Sequence, residues 1–507
     1  LPITNRRLLL GAAVWLLALS LGTAGTLDWP MFARSPDRTS RSTVRFESET
    51  LGVAWSTTPP RSLYAYVEGT PYFSSPSAAV VADRPMVFIG SYDKGVYAFD
   101  ARTGEALWDY TTGDAVSATP TFAVIDGQPM LFVASADRKL IALDPRADLP
   151  SDANRLLWSK ELLVFQQTVN PARMANPLLV DVGGKPTAFF AVWTNDQSGT
   201  ENVQKGEIIA VEPRDGSFRW RRTIGTGAVN TPCLGRVRGQ PALFVPYEAG
   251  SIHAIAVEGG RDLWDAPFAV GDEVHGGVSY AEVDGRGIVF LGSRTAWAHA
   301  VAADTGKKLW HFFAGLWVDS TPSFAVIDGR PLVFFGTYTF HIIAADARTG
   351  EEVWRYRTRG IVQGSPALAF MGDEPVLCVN ALDSHVYVVS ARDGRFIFRH
   401  HCGKFPWTHY LKGKTVWSSC IVADLGDGPL LIAPSYSGVV TAFAVNGQDA
   451  NAGPPSDSFW DALGEIYTIP AFAITGFVLF VTLRRLVRRA RQGARPDPAA
   501  NRTDDAE

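Results

Sequence analysis

Four cysteines in 507 residues are too few for a disulfide scaffold, and no two of them are adjacent. No Cys-x-x-Cys-His stretch occurs, which excludes a covalently attached c-type haem. Charged residues make up only 19% of the chain against 46% hydrophobic, which excludes a disordered protein. A phosphate loop, a serine triad and a paired-carboxylate signature are also missing, so no ready-made catalytic motif is on offer. What is plentiful is glycine (47), proline (32) and above all tryptophan (15). That mixture suits turn-rich β structure with large aromatic wedges.

The ends of the chain carry the apolar runs. Arg6 and Arg7 precede fourteen uncharged residues, Leu8 to Leu21, and then the small residues Gly22 to Gly25. A basic start, a short apolar stretch and a small-residue site read residues 1–25 as a signal peptide, or as an N-terminal anchor if uncut. Residues 26–50 follow as an N-terminal segment. Near the other end, Ile466 to Leu483 is eighteen residues without a charge, long enough for a transmembrane helix. Six arginines between Arg484 and Arg495 follow it at once. The positive-inside rule then puts the tail, 484–507, in the cytoplasm. The expected arrangement is a single C-terminal span (466–483) in the cytoplasmic (inner) membrane. A polar linker (447–465) precedes it, and the body stands on the periplasmic or extracytoplasmic side. The whole chain has a net charge of −4. Removing the two N-terminal arginines and the +3 of the tail leaves −9 on the body, which argues against nucleic acid as a partner.

Between these ends lies a repeat. The run Asp100 to Glu105 leading to Trp108 recurs as Asp346 to Glu351 leading to Trp354. Weaker copies end at Trp158, Trp220, Trp264, Trp310 and Phe398, and a lone strand, Leu51 to Trp55, carries the same ending. Successive endings are 44 to 62 residues apart, which makes eight units. Each unit opens on a small residue, six times followed by proline, as in Ser75-Pro76, Thr321-Pro322 and Ser365-Pro366; Gly276-Gly277 and Ser419-Cys420 depart from this. Apolar runs and alternating segments follow, so each unit reads as four short strands. Thr-Gly or Asp-Gly before the last strand supplies the left-handed residue of a tight hairpin. The tryptophan wedges against the next blade, which gives Trp55, Trp108, Trp158, Trp220, Trp264, Trp310 and Trp354 a docking role. Residues 51–446 are therefore expected to form an all-β, eight-bladed β-propeller. Its last unit has three strands and takes its fourth from residues 51–55, which removes an open edge.

The repeated motif, Ala-x-Asp-x-x-Thr-Gly-[Lys/Glu]-x-x-Trp, resembles the PQQ-like repeat of quinoprotein-type propellers, over about residues 50 to 446. The resemblance implies one of two functions. One branch, BamB-like, is a non-enzymatic propeller of the outer-membrane-protein assembly machinery that binds a partner through its inter-blade loops. The other is the quinoprotein dehydrogenases, which hold PQQ between a tryptophan and a disulfide of adjacent cysteines, with Ca2+ beside it. Lacking adjacent cysteines, the chain is expected to be a membrane-tethered protein-interaction scaffold in an envelope complex, with no cofactor. A membrane-bound PQQ-dependent dehydrogenase, using PQQ and Ca2+ in the propeller funnel, is the alternative.

Candidate ligand residues come from the positions just before each blade opening, which line the mouth of a propeller. These are Phe73, Ser117, Arg173, Met174, Asn230, His275, Asp319, Gln363 and Trp417. Arg173, Asn230, His275, Asp319, Gln363 and Trp417 are the polar and aromatic ones that can orient a small ligand. A second cluster is His400, His401, Cys402 and His409, whose spacing matches no familiar metal motif; no metal site is assigned. Cys402 and Cys420 flank a long excursion and are expected to form a disulfide in an oxidising compartment. Cys233 and Cys378 lie in apolar strands and read as buried thiols. The polar stretches 146–155 and 194–203 are candidate partner-binding edges.

Overall fold

The structure, a computed structural model, describes residues 31–447 apart from 49, 60–73, 150–153, 163–172, 182, 197–202, 226–229, 248, 403–417, 436–437 and 446. Apolar runs bounded by turn signals become the strands expected of them. Second strands such as Arg330–Gly336 are buried almost throughout, because sheets cover both of their faces. Outer strands such as Glu352–Arg357 alternate between solvent and core, with the tryptophan pointing inward. The strands form eight sheets, antiparallel except for one added strand, and no α-helix occurs among the described residues. Blades one to seven run 77–111, 121–161, 173–225, 233–269, 278–313, 323–357 and 367–401. The eighth combines Ile421–Asp424, Pro429–Pro434 and Val440–Ala444 with the N-terminal strand Gly52–Thr57, so the ring closes as the repeat count requires.

Adjacent blades are joined by one device used seven times. Each indole Nε1 donates to a backbone carbonyl of the following blade, from Trp55 to Ala101 (2.8 Å) round to Trp354 to Ala391 (3.1 Å). At six of the seven the glycine of the next blade's turn lies directly under that indole, and at Trp108 the Arg155 guanidinium lies over the ring instead. At Gly350, φ is +76°, and a Cβ would sit 2.6 Å from the Trp310 ring. The glycine is therefore needed twice, for its left-handed backbone and for the space. The blade openings form a second device. At six of the eight openings the backbone amide donates to a side chain at the next blade's opening: Thr321 N–H donates to Ser365 Oγ (3.0 Å), Ser365 N–H to Ser419 Oγ (2.9 Å) and Ser419 N–H to Ser75 Oγ (2.8 Å). Only a short polar side chain fits that spacing, which explains the small residue that opens each unit.

The N-terminal segment is not outside the ring, where the repeat pattern left it. Arg41–Phe46 pairs in parallel with the innermost strand of blade seven, Ala367–Met371. The residues before it cross the centre of the propeller. The carbonyls of Pro36, Asp37, Thr39 and Ser40 accept from Leu234, Tyr280, Phe324 and Leu368, one on each of blades four to seven. These innermost strands have donors facing the channel, and the segment satisfies them. Beside it lies a void of about 10 Å³, lined by Phe32, Ala33, Ser40 and the ring serines, room for about one water.

Two sequence expectations fall differently. The Cys402–Cys420 disulfide is not formed: both are free, buried thiols. Cys420 Sγ donates to the Cys378 carbonyl (3.1 Å) and Cys402 Sγ to that of His400 (3.7 Å), inside the same apolar cluster. The expected linker and transmembrane helix, 447–465 and 466–483, lie outside the described residues except for Gly447. Among the described residues no helix is long and apolar enough to cross a membrane.

Candidate functional site at the mouth of the ring

In an antiparallel blade, the loop between the second and third strands lies at the same end as the crossing to the next blade. Side chains from these two kinds of segment therefore meet, and over blades five to seven they form one network. Asp319, on the crossing from blade five to six, has no exposed side-chain surface. Its Oδ2 accepts from Arg294 (2.9 Å) and from the Tyr338 hydroxyl (2.9 Å), and its Oδ1 accepts from Arg294 Nε (3.3 Å). Arg294 and Tyr338 come from the two neighbouring inter-strand loops. Gln363, on the next crossing, donates to the Tyr338 oxygen. On the other side Arg294 reaches Glu273 (3.3 Å), whose Oε2 also meets His275 Nε2 at 2.9 Å. Asn230 donates to the carbonyl of Val274.

The charges in this network are fixed by one another. Burial alone would push the Asp319 carboxyl up, but Arg294, and after it His275, outweigh this and hold it below the ordinary carboxylate range. Burial works against the Arg294 charge, yet Asp319, Tyr338 and Glu273 raise it further. Burial first, and then Asp319, push the Tyr338 phenol well above its usual value. None of the three changes protonation near neutral pH, so none is poised as a general acid or base.

Four of the six predicted mouth residues, Asn230, His275, Asp319 and Gln363, thus belong to one connected stretch. Arg173 lies on a two-residue strand paired with Trp193 and Val192, and its backbone alone is described. Trp417 and Phe73 lie outside the described residues, as do Trp407 and His409. His400 and His401 do not converge. Strand alternation sends His400 against Phe443 (4.8 Å between rings) and His401 against His385 (4.9 Å). Sequence reasoning missed Glu273, Arg294, Trp317 and Tyr338. Aligning the loops Ser293 to Ala296 and Thr337 to Phe340 with Ser91 to Lys94 would have exposed Arg294 and Tyr338, which stand in equivalent positions; Glu273 and Trp317 lie on the crossings, two residues before His275 and Asp319.

A ring of eight blades docked by tryptophan, with a filled centre and a self-paired mouth, defines a tryptophan-docked eight-bladed propeller. The chain belongs to the family described as outer membrane protein assembly factor BamB, which matches residues 40–244 and 248–449. Among solved structures, BamB from Moraxella catarrhalis is 18% identical, with 79% of this chain and 99% of that one covered and a TM-score of 0.50. The quinohemoprotein alcohol dehydrogenase from Comamonas testosteroni is 14% identical over 83% of this chain and 81% of its own, with a TM-score of 0.60. Sqt1 from Saccharomyces cerevisiae is 14% identical over 78% and 99%, with a TM-score of 0.53. At such identities the likeness shows the fold alone. No curated protein matches the chain in sequence.

Proposed function

We propose that the protein is a membrane-tethered, extracytoplasmic propeller that serves as a protein-interaction scaffold in an envelope complex. The observation that carries this reading is the mouth network closed on itself: its acid, phenol and guanidinium already neutralise and bond one another. The family match, which takes its description from an outer membrane assembly factor, supports it. Among the described residues, the features that the resemblance assigns to a PQQ and Ca2+ seat are not assembled. The four cysteines are not adjacent, and all are free thiols buried in apolar clusters of the blades. The Asp319 oxygens are taken by Arg294 and Tyr338, and no cluster of three or more metal-binding side chains occurs among the described residues.

Two measurements test the reading. Reversible crosslinking in native membranes, followed by purification of the full chain, is expected to recover a defined envelope protein at fixed stoichiometry. Addition of PQQ with Ca2+ to the purified protein is expected to give no absorbance change and no dye reduction on alcohols or sugars. Dye reduction without a stoichiometric partner would replace the scaffold with a dehydrogenase.

A further inference from the structure

The loops between second and third strands share one geometry. In blades one, two, five, six and seven the fourth loop residue is left-handed: Lys94 (φ 74°), Arg138 (69°), Ala296 (70°), Phe340 (66°) and Ser384 (63°). Blades four and eight place glycine there, Gly250 and Gly438. Of these seven residues only Phe340 is large and aromatic, and a bulky side chain is costly in that region. Its ring is only partly covered, so burial does not repay the strain in full. Strain kept at an accessible aromatic residue points to a use outside the fold.

The neighbours of Phe340 say what that use is. Leu316 and Trp317, also partly exposed, pack with it over Tyr338, Ile361 and Leu382. Trp317 is held rigidly. The Arg294 guanidinium lies 4.3 Å beneath its ring, and Tyr338 meets it edge-on at 5.1 Å. The Phe340 carbonyl accepts from Thr358 N–H (2.8 Å) and Thr358 Oγ1 (2.9 Å). That contact brings the exposed Arg357 and Arg359, on either side of Thr358, to the edge of the apolar patch. The patch is thus a preorganised aromatic platform with a cationic border on a body that is otherwise acidic.

We infer that Leu316, Trp317 and Phe340, bordered by Arg357 and Arg359, form the docking site for a partner-protein segment that sets an aromatic or apolar side chain beside carboxylates. This inference rests on the scaffold reading and gives it an address. Charge complementarity selects an acidic segment, and the fixed Trp317 gives its apolar residue a rigid surface to cover. Two arginines are too few to hold an anionic lipid surface unaided, so a protein segment is the occupant.

The test uses the full-length chain and a fluorescent synthetic peptide of alternating aspartate and phenylalanine as probe. Binding is expected, weakening as salt rises. Phe340→Gly, Trp317→Ala and the pair Arg357→Glu with Arg359→Glu are each expected to weaken it by about tenfold or more. Phe340→Gly removes the backbone strain, so it is expected to leave the thermal midpoint close to that of the unmodified protein, which separates lost docking from lost fold. Lys94→Gly, the same change in blade one, is expected to leave binding unaltered. Peptide binding that survives these substitutions, or no binding at all, overturns the site. Stronger retention on anionic phosphatidylglycerol vesicles than on the peptide, abolished by the same substitutions, overturns the protein occupant. If the membrane crosslinking recovers the partner equally with Phe340→Gly, the site fails while the scaffold stands; if the unmodified chain recovers none, the scaffold itself fails.

Discussion

Two arginines are buried at the middle of this ring, and they are held in opposite ways. Arg294 stands at the mouth with Asp319 and Glu273 against it. Arg38 lies in the N-terminal segment, fully buried, and among the described residues it has no carboxylate within ion-pair distance. Its donors go to the carbonyls of Phe32, Pro177 (3.2 Å) and Pro232 (3.3 Å). The two prolines follow the openings of blades three and four, where the inner strand has not yet begun. Their carbonyls point at the channel, and Arg38 is the donor that meets them. Burial accordingly pulls the Arg38 guanidinium down to about 9, still cationic at neutral pH, whereas Arg294 is raised. The mouth is a compensated charge site. The centre holds its charge without an ion pair, tolerated because it caps backbone that the repeat leaves open.

The largest expected effect follows from breaking the compensated pair. Asp319→Ala leaves Arg294 buried with only Glu273 beside it and takes the acceptor from Tyr338. A cost of about 3–5 kcal/mol is expected in chemical denaturation, with a change in Trp317 fluorescence because Arg294 loses its anchor. Arg38→Met fills most of the same volume and removes a charge that, among the described residues, has no ion pair and only Asp37 acting on it from a distance. Its cost is expected to be smaller, about 1–3 kcal/mol, the price of the Phe32 and Pro232 carbonyls losing their donor, since Thr121 Oγ1 still donates to Pro177 (3.0 Å). Equal losses in the two variants would mean that charge compensation does not distinguish the two sites.

pH sharpens the same contrast, because the two groups act in opposite windows. Asp319 has its folded pKa depressed below the unfolded value near 3.8. The stability it contributes is fully present above that value and is lost as pH falls through the folded one. Arg38 is a base with its folded pKa depressed, so between about 9 and the ordinary arginine range the unfolded chain binds the extra proton. Its penalty is complete below about 9 and is relieved as pH rises beyond that, so stability gains with pH. Denaturation of the unmodified protein and Arg38→Met across pH 8 to 11 is expected to show the unmodified chain gaining relative to the variant. A difference that stays flat through this range would place Arg38 in contact with water.

The repeat made most of the ring legible. Trp108 and Trp354 announce the blade period, Thr-Gly before them announces the turn, and Ser365-Pro366 or Thr321-Pro322 announces each opening. The positions before those openings led to Asp319, His275 and Gln363. Arg294 and Tyr338 escaped because their loop position holds Ala136 in blade two and Leu382 in blade seven, and a repeat is read from what recurs. The channel segment escaped for a stronger reason. Residues 31–46 carry no repeat signal, and their left-handed residues, Ala33, Arg34, Arg38 and Ser40, are types that local propensity does not assign to that region. Their conformation is imposed by the ring they fill. The disulfide expectation went wrong because spacing gives proximity along the chain but not the direction of each thiol, and both point to carbonyls.

The smallest expected effect concerns a third kind of arginine, at the rim on the opposite face. Arg348 Nε meets Asp284 Oδ2 at 2.5 Å, joining blade six to blade five, and Arg392 meets Asp328 in the same way. The geometry is as close as that of Arg294 with Asp319, and the recurrence suggests a structural clasp. Solvent decides otherwise. The two side chains are 41% and 64% exposed, so water and salt screen the attraction and ordering both chains offsets what is left. Blade contact at this edge is already secured by the Trp310 indole on the Ala347 carbonyl (3.0 Å) and on Gly350. Arg348→Ala is therefore expected to leave the denaturation midpoint unchanged within error, at low and at high salt alike. A salt-sensitive loss comparable with that of Arg38→Met would show that proximity and not burial ranks these arginines, and the contrast between mouth and centre would lose its physical basis.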